Sequence, residues 1–190
     1  MRFPAQSRMS VTRRDEKKQR LTAFIGRSLP CAVPGTSPLQ QSTITVLARS
    51  IDSPVVRAIG ALAAEIAATG APVRLLLARS DRLAERLLAE GGCVYPQKST
   101  LDCEVRVTRD PRLIEAHEQM VLGERACWTG DSMRRDPAAC DAYESFVDDG
   151  ADLARAARST FERLWAAAEP LIAHGPLASL NSAPGLERRP

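Results

Sequence analysis

His117-Glu-Gln-Met-Val-Leu-Gly-Glu-Arg-Ala-Cys-Trp-Thr-Gly-Asp-Ser-Met-Arg-Arg135 is the stretch whose reading decides the fold. It holds one of the two histidines, then two short apolar runs separated by Gly123-Glu124. His117 to Leu122 and Arg125 to Thr129 read as two strands, and a Gly-Glu step between them predicts a hairpin. Trp128 falls in the second run and is expected in the core, where an indole buries a large apolar area.

Upstream, Ser-Thr-Ile-Thr-Val-Leu-Ala (42–48) is rich in β-branched residues and predicts a strand. A helix follows, with Ser53 as its cap, Pro54 in its first turn, and Val55, Ile59, Leu62 and Ile66 on one face. Gly70 is placed to end it. Val73 to Ala78 is a continuous apolar run broken only by Arg74, the pattern of a strand in the middle of a parallel sheet. Strand, helix, strand in this order is a βαβ unit. A second helix is predicted from Asp81 through Leu83, Leu87 and Leu88 to Gly91-Gly92, then a loop to Thr100. Cys103, Val105 and Val107 alternate with Glu104, Arg106 and Thr108, as in a strand with one wetter face. Asp110-Pro111 marks a turn, Asp136-Pro137 a short helix, and Asp148-Asp149-Gly150 a break. A last helix carries Leu153, Ala157, Phe161, Leu164, Trp165 and Ala168 on one face and stops before Pro170.

The chain has 190 residues, 44% of them hydrophobic but only 4% aromatic, so the core must be built mainly of aliphatic side chains. Net charge is +3 and uneven: residues 1–30 hold eight Lys/Arg and two acids, a local +6 that leaves −3 elsewhere. Residues 1–41 read as a basic extension and linker, 42–170 as the folded domain, and 171–190 as a disordered tail holding His174. Within the extension, Arg14 to Leu29 fits an amphipathic helix with Leu21, Phe24, Ile25 and Leu29 on one face. A membrane-surface or nucleic-acid tether would use residues 1–30 in that form; a solvated tail is the preferred reading. Five cysteines, an odd number with no C-x-x-C pair, read as free thiols of a cytoplasmic protein, and their spacing matches no metal-ligand pattern. No cofactor or metal is expected.

The order of elements from Ser42 to Ala168, and the sequence around His117, resemble the phospholipase D-like (HKD) superfamily. Its motif runs H-x-K, an acidic turn, then G-S. The resemblance implies an α/β/α sandwich with a mixed sheet. It implies two motifs facing one site, one histidine attacking phosphorus, the other protonating the leaving group, and lysines neutralising charge on the phosphoryl oxygens. By position His117 takes the family histidine, Gln119 the lysine, Glu124 the acidic turn residue in a turn one residue shorter, and Gly130 the glycine. Asp131 stands for the serine, Met133 for the asparagine that often follows, Ser132 comes one position late, and Glu144 corresponds to a later glutamate. Arg134 and Arg135 are candidate phosphate contacts or plain surface charge.

Gln119 decides the chemistry. An amide donates hydrogen bonds but carries no charge, and exchanging a cation for it weakens transition-state binding by about two to three orders of magnitude in rate. The expectation is a degenerate, non-catalytic member that binds a phosphate-containing ligand or a protein partner. The alternatives are a homodimeric phosphodiesterase with His117 as nucleophile, which needs two copies to supply two histidines, and an interaction module acting through the basic N-terminal segment. A lone histidine at a strand start is also, commonly, a hydrogen-bonded structural residue.

Overall fold

The computed structural model describes residues 14–29, 43–78, 101–134 and 144–171. The expected helix after Asp81, the loop to Thr100, the short helix at Asp136, Arg135 and the tail beyond Leu171 lie outside the described residues.

The described elements are α1 (Arg14–Ser28), β1 (Ile44–Ala48), α2 (Pro54–Ala61), α3 (Ala63–Thr69), β2 (Val73–Leu77), β3 (Cys103–Val107), a 3-10 turn (Pro111–Glu115), β4 (His117–Leu122), β5 (Ala126–Ser132), β6 (Ser145–Val147), α4 (Ala151–Ala167) and β7 (Glu169–Pro170). The strands form one mixed sheet in the order β6-β5-β4-β1-β2-β3-β7. β1, β2 and β3 run parallel, while β4, β5, β6 and β7 are each antiparallel to the neighbour they join. The expected βαβ unit and motif hairpin are both present. Gly123 turns the hairpin at φ 61°, a conformation glycine adopts without a Cβ penalty.

Side chains alternate between two cores because successive strand residues face opposite ways. Ile44, Val46, Leu75, Leu77, Met120, Leu122 and Trp128 pack beneath α1, α2 and α3. On the other face Leu47 and Leu76 meet Phe161 and Trp165 of α4, and Val121 and Cys127 meet Ala154. The molecule is thus an α/β protein with a mixed sheet between helical layers. Among the described residues no helix is long and apolar enough to cross a membrane.

Three expectations differ from the structure. Residues 14–28, read as part of a flexible extension, are a docked helix. Leu21, Phe24 and Ile25 have no exposed surface, and the Phe24 ring meets Phe146 edge-on at 5.2 Å. Three such side chains contribute about 1.5–3 kcal/mol each on burial, enough to hold α1 to the sheet. The helix expected from Pro54 to Thr69 is two segments, because Leu62 leaves helical geometry at φ −107°, ψ 18°. On α4 the buried line is Ala154, Phe161 and Trp165, and Leu153 is 58% exposed. Ala154 meets Val121 and Cys127 of the sheet, and Leu153, its neighbour about 100° away around the helix, falls outside that contact. Beyond it, Arg74 and Arg106 lay their guanidinium groups over Trp165 at 4.3 and 4.6 Å from the ring centroid, roofing the wetter side of β2 and β3 with cation–π contacts.

Candidate functional site at the strand ends

β4 is antiparallel to β1, so His117 at the start of β4 stands beyond Ala48, at the carboxyl ends of the parallel strands. That is where ligands bind in open α/β sheets. The imidazole is exposed. Its Nδ1 lies 2.8 Å from the Gly130 carbonyl oxygen. A carbonyl only accepts, so Nδ1 carries the hydrogen.

Opposite His117 the β4–β5 ladder is irregular. His117 pairs with Ser132 and Gln119 with Thr129, so two steps on β4 oppose three on β5. The extra residue is a β-bulge, and it flips the alternation. Trp128 and Asp131, three residues apart, therefore reach the same face, where a regular strand would separate them. The indole of Trp128 lies over Gly130: a Cβ there would stand 2.1 Å from Trp128 Cζ2.

Beneath the bulge, on the α1 side, lies a buried charge cluster. Lys17 of α1 has no exposed surface, and its Nζ meets Asp131 Oδ1 at 2.6 Å. Glu118 is 2% exposed; its Oε1 accepts from Ser53 Oγ at 2.5 Å and from the Arg49 N–H at 3.0 Å. Ser53 is thereby turned away from capping α2, the role its position suggested. Glu118 Oε2 is buried and meets no hydrogen-bond partner among the described residues. Glu144 Oε1 accepts from Trp128 Nε1 at 3.3 Å, and its Oε2 pairs with Arg20 at 3.1 Å. Three carboxyl groups thus gather on one face with Lys17 and Arg20. Burial, with Asp131 adding to it, pushes Glu118 up to about 7 against the pull of Ser53, Arg49 and Lys17. Burial also raises Glu144, although Lys17 and Arg20 oppose it.

A carboxyl raised in the folded state makes stability fall with pH, because the native protein keeps a proton that the unfolded chain has released. The contribution is complete below about pH 4.5, declines from there, and is gone above about 7. The native protein is therefore expected to lose about 3 kcal/mol from this group across that window. Glu118→Gln should remove that part of the slope. Urea denaturation of both proteins at several pH values checks it, and equal slopes would dismiss the assignment.

The residues singled out in the sequence divide among separate places. His117, Gly130 and Ser132 come together at the strand ends. Gln119 is on the same sheet face as His117 but lies against α4, with Thr45, Leu47, Val121, Ala157 and Phe161, in a crevice with no room for a water molecule. Asp131 and Glu144 are on the opposite face. Glu124 sits in the hairpin turn, five β4 residues and more from His117, about 17 Å at strand spacing. It is therefore no part of a site at the strand ends. Arg134 is exposed and ion-paired with Glu115. Sequence reasoning missed Lys17, Glu118 and Ser53 as a group. The signals were present: Glu118 precedes Met120 and Leu122 at period 2, and Lys17 precedes Leu21 by one helical turn.

Fold and site together define an α/β protein whose candidate site stands at the carboxyl ends of its parallel strands. No family model and no curated protein matches the chain. Among solved structures it is similar to TrmBL2, an archaeal chromatin protein with a novel mode of DNA binding, at TM-score 0.37 and 14% sequence identity over 82% of this chain. The chain spans 62% of the length of that one. A likeness of this degree establishes neither a shared fold nor a shared function.

Proposed function

We propose that this chain is a phospholipase D-like domain that has lost the family's catalysis and binds a phosphate-containing ligand beside His117. The observation that carries the reading is the histidine ring itself. It is exposed at the strand ends, and the Gly130 carbonyl holds it in one tautomer, so Nε2 faces away from the backbone that pins Nδ1. Protonated, Nε2–H donates to a phosphate oxygen. Catalysis would need a cation aimed at the charge that develops on phosphorus. Gln119 offers none, and the buried Lys17 is committed to Asp131 on the other face of the sheet.

Thermal unfolding with inorganic phosphate, together with an assay of bis-(p-nitrophenyl) phosphate hydrolysis, tests the reading. At a hundredfold excess of phosphate over its Kd the melting temperature should rise by roughly 5–10 °C. His117→Ala should keep the fold and lose the shift, and no hydrolysis should be seen. Absence of any shift for the native protein rejects phosphate binding. Hydrolysis abolished by His117→Ala would instead establish a phosphodiesterase that depends on His117.

A further inference from the structure

Glu118 adjoins His117 in the chain but faces the other way, into the cluster under α1. Its Oε1 receives two of the bonds that fasten the β1–α2 loop, from the Arg49 N–H and the Ser53 hydroxyl, and Ser53 Oγ in turn accepts from the Ser50 N–H at 3.2 Å. Oε2 faces no donor among the described residues. The carboxyl is confronted by Lys17 from α1, by Asp131 from β5 and by the loop itself; Glu144 and Arg20 lie further along the same face, and Arg14 stands one turn before Lys17 on α1.

From this geometry we infer that Glu118 is a proton-operated clamp, which as a neutral acid holds the β1–α2 loop closed beside His117 and on ionising lets it open. The neutral acid suits the site: Oε1 accepts twice, as a carbonyl oxygen can, and the proton resides on Oε2. An anion in the same place leaves Oε2 unsolvated next to Asp131, and its cheapest relief is water. Two walls of the site cannot yield readily. β4 is held on both sides by sheet bonds, and α1 is anchored by Leu21, Phe24 and Ile25. Among the described residues the β1–α2 loop, half-exposed at Arg49, Ser50 and Asp52 although Ile51 is buried, is the wall nearest solvent, so hydration opens that loop. The inference does not depend on what binds at His117.

Hydrogen exchange of the Arg49 amide, followed by NMR on the full chain and expressed as protection factors, reads the clamp directly. Protection is expected to fall roughly tenfold from about pH 6 to about pH 8, and to be independent of pH in Glu118→Gln. A flat or rising profile in the native protein overturns the clamp. A step that persists in Glu118→Gln also overturns it, by assigning the proton to another group. Should Glu118→Gln fail to fold, Ser53→Ala gives the second readout. Removing a hydroxyl that favours the ionised form moves the step to higher pH, and an unmoved step refutes the proposal.

Discussion

Gly130→Ala is expected to destabilise the protein by about 3 kcal/mol or more, at the upper end for added volume in a packed core. The new Cβ would stand 2.1 Å from Cζ2 and 2.7 Å from Cη2 of Trp128, distances no pair of carbon atoms tolerates. One of the two groups must move, and neither is free to. Trp128 has no exposed surface, its Nε1 is bonded to Glu144, and it sits between Met120 and Phe146 in the sheet register. Gly130 is fixed from its other side by the bulge and by the bond its carbonyl accepts from His117. Denaturation midpoints in urea measure the loss. Trp128→Phe in the same chain should recover part of it, giving a strongly non-additive double-mutant cycle. A Gly130→Ala protein within about 0.5 kcal/mol of native stability would show that the indole does not rest on this glycine. The consequence reaches beyond stability. Gly130 is one of the few positions that match the phospholipase D-like motif, and here it has a packing reason of its own. Its presence therefore weighs less as a sign of phosphoryl chemistry than the motif alone suggests.

The parts of this fold that were legible in the sequence are those where one periodicity dominates over several residues. β1, β2, β3 and the β4–β5 hairpin announce themselves by alternation or by unbroken apolar runs, and the α2–α3 stretch by its stripe and by Gly70. What escaped depended on partners distant in the chain. β6 and β7 are three and two residues long, too short to carry a period, and exist because β5 and β3 offer them an edge. The docking of α1 was hidden by its charges. Eight basic residues in the first thirty suggested solvent, although Leu21, Phe24 and Ile25 already marked a buried stripe. The bulge was unreadable, since one extra residue shows only when two strands are set side by side. With it went the placement of Asp131, which stands for the motif serine and is found on the face opposite His117, paired with Lys17.

Lys17→Met is expected to cost about 3–5 kcal/mol, the loss seen when one partner of a buried ion pair is removed. The methionine fills much of the same space, so the effect isolates the charge. Asp131 keeps 11% of its side-chain surface and loses its 2.6 Å partner, while the side chains of Glu118 and Glu144 remain buried nearby, Glu144 bonded to Arg20. Changing both partners, Lys17→Met with Asp131→Asn, should restore most of the loss, because the pair costs desolvation that its mutual attraction only roughly repays. Urea denaturation of the two single variants and the double variant closes the cycle. Additive losses would mean that the 2.6 Å contact carries no coupling. The same substitution also has a predicted effect on Glu118. Lys17 is among the groups that favour its ionised form, so without the ammonium the Arg49 exchange step should move to higher pH. A docked α1 helix, a closed β1–α2 loop and the protonation of Glu118 are then three expressions of one buried charge balance. The apolar face of α1 supplies the attachment, and the Lys17–Asp131 pair fixes a polar point of contact at which that face meets the sheet.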